Sequence, residues 1–372
     1  MSVRKCIVQF LLLFYVFLYI YGQAVGNKVI IALAIVVALL PVIFYPPKGW
    51  RLFLYSFIVA ILSLIILLFN NTYPFERLVF NVAFLFANIM LAMVLSREHK
   101  FIPELLRTII YGLFAFIFVC FILSIIKKVH IYVFMNSLLV GFSYNYISGL
   151  LVLSLSVYFS YYAKFGKDVK YGSVFAFLSV IACALLYGRS GIIFSFMLFF
   201  IYFKGYLNPS KGMRFYFIMI CCCLLLAYGT YNISLLTDAV QNSKFREGIQ
   251  SPRFTMLHEY FNALNINALI MGVDITKLPT VASFNFNPHN SFVNLHAMTG
   301  ILCYGAIVLI FLKLFNLSFF NLNLLMYLSL YLLRGAFDTI ILPGVFDFIF
   351  LFLLFYKHQD SFNICTHKEK KC

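Results

Sequence analysis

The chain has 372 residues, of which 63% are hydrophobic and 11% charged, against roughly half and a quarter in an ordinary soluble domain, so a water-soluble globular fold is excluded. Its 28 Lys and Arg against 12 Asp and Glu give a net charge of +16, which in so apolar a chain points to cytoplasmic loops of a membrane protein and not to nucleic acid. The apolar runs are continuous, whereas a membrane β-barrel needs alternating segments of about ten residues.

Taken in chain order, apolar runs and breakers predict spans near residues 7 to 22, 29 to 45, 52 to 69, 78 to 95, 108 to 126, 146 to 163, 171 to 187, 190 to 203, 214 to 235, 291 to 312, 318 to 333 and 342 to 356. The expected fold is therefore all-α: a single polytopic membrane domain over 1–372 with about 12 transmembrane helices, using roughly 240 residues at about 20 per crossing. The first run follows Arg4 and Lys5 and ends in Tyr19-Ile20-Tyr21-Gly22, too bulky for a cleavage site, so it reads as an uncleaved span. Gly188-Arg189-Ser190-Gly191 reads as a tight turn between two short spans. Merging them would carry Lys204, Lys211, Arg214 and Lys313 to the outer side. With both termini in the cytoplasm, 18 of the Lys and Arg residues lie inside and 10 outside. The nine cysteines fall mostly within apolar runs and read as packing residues.

One segment breaks the monotony. Residues 236–290 are rich in Asn, Ser, Lys, Arg, Asp and Pro and form a large extracytoplasmic loop by this topology. Within it, Ser251-Pro252 reads as an N-cap followed by Pro in the first turn, and Phe254, Leu257, Phe261 and Leu264 recur at helical steps. An amphipathic helix along the outer membrane surface is expected.

The outer cations Arg189, Lys244, Arg246, Arg253, Lys277 and Arg334 cluster late in the chain, and His289 sits in Asn287-Pro288-His289-Asn290 just before a span. Spans starting near 190, 291 and 342 would point their N-termini outward, where free N–H groups and the macrodipole favour phosphate. Each arginine could equally snorkel to lipid headgroups. Arg189 is the strongest functional candidate, because it lies between Leu185-Leu186-Tyr187 and Ile192-Ile193-Phe194, where a charge needs a partner. His289 can accept a proton from a hydroxyl near neutral pH. His296 lies two turns further along and is a weak mimic of a ligand pair. The outer acids show no metal-ligand spacing, and Walker, G-x-S-x-G and H-E-x-x-H motifs are absent.

The order of Tyr187-Gly188-Arg189-Ser190-Gly191, a large outer loop with Arg253 opening a helix, Met271-Gly272-Val273, and Pro288-His289-Asn290-Ser291-Phe292 with Gly300 resembles the O-antigen polymerase and O-antigen ligase superfamily. The late segments Arg334-Gly-Ala-Phe-Asp338 and Gly344-Val-Phe-Asp347 resemble the polymerase branch more than the ligase branch. The match covers about residues 171 to 350. It implies a GT-C-type membrane glycosyltransferase acting on undecaprenyl-diphosphate-linked oligosaccharide at the outer face of a bacterial inner membrane, with room for a chain-length regulator protein as a partner. The catalytic histidine carries over to His289 and the phosphate-binding arginines to Arg189 and Arg253; charge and side add Arg334. Such a mechanism requires no metal, nucleotide or other cofactor.

Two rivals share much of this pattern. A ligase moving the glycan onto lipid A core has the same donor chemistry and a different acceptor. A flippase for lipid-linked oligosaccharide would show paired halves with interrupted helices in matching positions, whereas the large polar loop here has no counterpart in the first half of the chain.

Overall fold

The computed structural model describes residues 3–46, 50–70, 73–167, 169–204, 252–319 and 321–356. The expected span near 214 to 235, the cations Lys244 and Arg246, the cap residue Ser251 and the tail from Lys357 lie outside the described residues.

Among the described residues the structure is helical and without strands. Apolar sequence, with Pro confined mainly to helix ends and loops, gives α1 (Val3–Val25), α2 (Lys28–Phe44), α3 (Trp50–Phe69), α4 (Phe75–Leu95) and α5 (Ile102–Ile126). Next come α6 (Ile131–Leu138), α7 (Tyr144–Lys164), α8 (Gly172–Leu185) and α9 (Arg189–Lys204). In the loop and beyond lie α10 (Pro252–Asn262), α11 (Ile266–Met271), α12 (Pro279–Ser283), α13 (Ser291–Thr299), α14 (Leu302–Ser318), α15 (Leu322–Ala336) and α16 (Asp347–Phe355). Four of these, α1, α4, α5 and α7, are long and apolar enough to cross a membrane.

The core is organised around α7. Every residue from Ile147 to Tyr161 is buried, including Ser148, Ser154, Ser156 and Ser160. A helix apolar on all sides belongs in the middle of a bundle, and α5, α8, α9, α15 and α16 all pack against it. By contrast α1 turns Phe10 and Phe17 outward at 64% and 60% exposure, an apolar outer face that suits lipid. The turn between α8 and α9 follows the sequence expectation, with Leu186, Tyr187 and Gly188 outside both helices.

Three departures have physical causes. The short helix α6 falls where no span was expected, being too brief to register as an apolar run. The run expected as one span near 291 to 312 is two helices, because Gly300 takes φ +55 and its neighbour Ile301 donates its N–H to the Ile270 carbonyl oxygen at 2.8 Å. The last span begins as helix only at Asp347; residues 340–346 are non-helical yet buried. Irregular backbone inside a helical bundle must have its polar groups satisfied. Asp347 does this, accepting from Leu342 N at 2.7 Å, Gly344 N at 2.6 Å and Tyr331 Oη at 2.7 Å. Asn88 of α4 donates to the Gly344 carbonyl oxygen at 3.1 Å and completes the buried network.

The bundle has two distinct ends. At one, Tyr73 before α4 donates its hydroxyl to Asn294 of α13 at 2.7 Å, and Asn70 after α3 donates to the Met298 carbonyl oxygen at 2.6 Å. At the other, Lys164 closing α7 donates to the Tyr356 carbonyl oxygen at 2.6 Å, and Asn321 before α15 donates to the Ala163 carbonyl oxygen at 2.8 Å. The helices between them span about 30 Å at 1.5 Å per residue.

Candidate functional site

At the first of these ends a carboxylate, an imidazole and two guanidinium groups meet. The carboxylate of Asp338, which follows α15, has Oδ1 at 3.3 Å from His289 Nδ1 and Oδ2 at 3.4 Å from Arg334 Nη2 and 3.7 Å from Arg253 Nη2. Arg253, in the first turn of α10, also donates from Nη1 to the Phe337 carbonyl oxygen at 2.5 Å. The loop helix is thereby tied to the end of α15, 84 residues away in sequence.

Local backbone chemistry positions His289. Asn287 Oδ1 accepts from His289 N at 2.9 Å and from Thr339 Oγ1 at 2.6 Å, joining the histidine loop to the segment carrying Asp338. His289 adopts φ +49, a left-handed conformation uncommon outside glycine, and strain of this kind gathers at functional sites. Asn290 then caps α13, accepting from Phe292 N at 2.9 Å and Val293 N at 3.1 Å, while its amide donates to the Ala336 carbonyl oxygen at 2.9 Å. Ser291 Oγ donates to the Asp338 carbonyl oxygen at 2.7 Å and accepts from Ile340 N at 3.1 Å and Ile341 N at 3.2 Å. The motif Asn287-Pro288-His289-Asn290-Ser291 thus clamps both sides of Asp338.

The electrostatics follow from this packing. Burial would raise the Asp338 carboxyl, but the hydrogen bond from His289 and the charges of Arg334 and Arg253 outweigh it and hold the group well below the usual carboxylate range. An ionised carboxylate only accepts hydrogen bonds. His289 Nδ1 therefore carries the proton, and in the neutral ring Nε2 keeps its lone pair. The His289 side chain is 24% exposed, so the ring is open to a ligand.

The other sequence candidates divide. Arg334 is fully buried beneath Asp338, with Nη2 also 3.4 Å from the Asn145 carbonyl oxygen. A Cβ on Gly149 of α7 would lie 2.8 Å from Arg334 Nη2, so only glycine leaves the guanidinium its present place. Arg189 opens α9 at the same end. Gly188, just before it, packs on Asn145, where an added Cβ would meet Oδ1 at 2.4 Å. Asn145 is therefore the shared neighbour of the Arg189 turn and Arg334, and its Oδ1 is buried without a hydrogen-bond partner. His296 faces away from the cluster, toward Tyr260 Oη and, at 3.2 Å, the Leu269 carbonyl oxygen.

Two of the helix N-termini expected to attract phosphate do not offer their N–H groups. Those at Ser291 are capped by Asn290, and no helix starts at 342, where the Asp347 carboxylate takes the nearby N–H groups. Sequence reasoning counted Asp338 among the outer acids and within a segment but gave it no role, and it passed over Asn145. A late acid four residues after Arg334, one helical turn along, was the signal for Asp338; Asn145 carried none.

The loop helix α10 is present as expected, but Met256 and Tyr260 are the buried residues, while Phe254 and Phe261 are each 58% exposed. The two phenylalanines lie on the exposed face of α10. Beyond α10 lies a cavity of about 480 Å³ whose lining includes Asn265, Asn267, Asp274, Lys277 and Phe69. Lys277 pairs with Asp274 at 3.0 Å, and with Thr276 this pairing outweighs burial and lowers the Asp274 carboxyl below its ordinary value. Among the described residues no three His, Cys, Asp or Glu side chains are grouped as metal ligands. No protein-family model, curated protein or solved structure matches the chain.

Proposed function

We propose that the chain is an inner-membrane polysaccharide polymerase, a glycosyltransferase of about twelve spans and GT-C type. It moves an undecaprenyl-diphosphate-linked glycan onto a sugar hydroxyl of another lipid-linked repeat unit, for O-antigen or capsule, on the outer face of a bacterial inner membrane. The observation that carries this reading is the meeting of His289 with Asp338, Arg253 and Arg334 at one end of an apolar helical bundle.

In this mechanism His289 Nε2 takes the proton of the acceptor hydroxyl as general base, with Asp338 holding the ring and balancing the imidazolium that forms. The hydroxyl oxygen attacks the anomeric carbon, and that carbon's bond to the diphosphate oxygen breaks. The electron pair leaves with the lipid diphosphate, whose charge is met by Arg189 and by Arg253, a side chain still 31% exposed. Buried Arg334 holds Asp338 and does not touch the lipid. The polar cavity beside the loop offers hydrogen-bonding groups and the Phe69 ring to a hydroxyl-rich ligand.

The test is purified full-length protein with synthetic undecaprenyl-diphosphate oligosaccharide and EDTA. Longer glycans from the wild type are expected, with Arg189→Ala inactive and Arg189→Lys partly active, because lysine cannot grip two phosphate oxygens in a planar fork. Strict dependence on added divalent metal, or flipping of the lipid with no joining of repeats, would contradict it.

A further inference from the structure

At the end of the bundle opposite His289 there is a cavity of about 640 Å³, lined by Arg4 of α1, by Ile43, Phe44, Tyr45 and Pro46 where α2 ends, and by Arg97 just after α4. Its charge is one-sided. Glu98 is taken by Lys5, at 2.7 Å, and neither Arg4 nor Arg97 has a carboxylate partner among the described residues. Arg97 Nη2 is shielded from solvent and makes no hydrogen bond. A shielded guanidinium nitrogen without an acceptor is costly, and two arginines without an acid beside an open cavity suit an anion.

The remaining walls define what kind of anion. Ile43 is 73% exposed and continues the outward apolar face of α2 that includes Leu33 and Val36, while Val3 on α1 is 76% exposed. Cations therefore stand at the edge of a surface suited to acyl chains, the arrangement that holds lipid headgroups at a membrane interface. We propose that this cavity binds the phosphate of an anionic membrane lipid, with Arg4 and Arg97 on the phosphate oxygens and the acyl chains along α1 and α2. The site lies about 30 Å from His289, the length of α4, and depends on the glycosyltransferase reading only in that the chain lies in a membrane.

Native mass spectrometry of the full-length protein in detergent, titrated with phosphatidylglycerol, phosphatidylcholine of the same chains, or inorganic phosphate, tests it. Phosphatidylglycerol should be retained over phosphatidylcholine, with affinity falling about fivefold for each arginine lost in Arg97→Gln and in the Arg4→Gln, Arg97→Gln pair. Ile43→Glu places a repelling carboxylate at an exposed wall position without touching the arginines and should weaken retention similarly, which guards against misfolding of the arginine variants. Equal retention of both lipids, retention unchanged in Ile43→Glu and the arginine variants, or inorganic phosphate binding as tightly as phosphatidylglycerol would overturn the assignment. None of these outcomes bears on glycan transfer.

Discussion

The two ends of the bundle carry similar cations in opposite company. Around His289, two arginines share one carboxylate, that of Asp338; around the far cavity, Arg4 and Arg97 have none among the described residues, where Glu98 is taken by Lys5. A charge with an internal partner is held in a fixed geometry, as chemistry at a defined atom requires. A charge left unpaired at a cavity wall waits for a ligand from outside. Identical residue types thus serve preorganisation at one end and recruitment at the other.

Removing the shared carboxylate should make the first end resemble the second. Asp338→Asn leaves the fully buried Arg334 without its ionic partner, and breaking a buried pair from one side costs about 3 to 5 kcal/mol. Chemical unfolding in mixed micelles should show this loss, and adding Arg334→Met to Asp338→Asn should recover part of it. Additive losses would mean that the two side chains are not coupled. The sign with pH follows from the depressed titration of Asp338. Its ionised form stabilises the fold above the ordinary carboxyl value of about 4, and that contribution fades as pH falls below it.

A smaller effect sharpens how the loop is docked. Gly300 holds φ +55, and a Cβ there would lie 2.1 Å from the Ile270 carbonyl oxygen, a backbone atom that cannot swing aside. Gly300→Ala should cost about 1 to 3 kcal/mol and raise proteolysis in the α10–α12 region. An unchanged protein would show that this contact does not hold the loop.

The smallest effect belongs to the far end. Glu98→Gln should cost at most about 1 kcal/mol, since Lys5 stays partly open to solvent and such pairs contribute little, and should raise phosphatidylglycerol binding by up to about fivefold by removing the local acid. Weaker lipid binding in this variant would reverse the logic of the comparison.

The sequence made most helices legible because apolar runs between breakers report them directly. The turn before Arg189 and the cap at Asn290 were also readable, since each rests on neighbouring residues. The His289–Asp338 contact was not. It joins residues 49 apart through folding alone, with Asn287 and Ser291 reaching across to Thr339 and the Asp338 backbone. The buried segment 340–346 was hidden for a related reason: its apolar residues look like the start of a span, although Pro343 and Gly344 break it, and the Asp347 side chain that takes up Leu342 N and Gly344 N is set by the fold. Arg334 was legible as a charge but not as a buried one, because its depth depends on the missing Cβ of Gly149 on another helix.

The most direct test of the His289 centre is the rate of glycan joining by purified His289→Ala and His289→Gln proteins on synthetic undecaprenyl-diphosphate oligosaccharide, with unfolding measured alongside. Both variants should lose on the order of 10² to 10⁴ in rate, the usual contribution of a general base, because neither methyl nor amide can take the hydroxyl proton at neutral pH. Stability should change little, since Asp338 keeps both arginines and Asn290 still caps α13. Polymer formed by stable His289→Ala protein at the wild-type rate would contradict the assignment of His289 as the base.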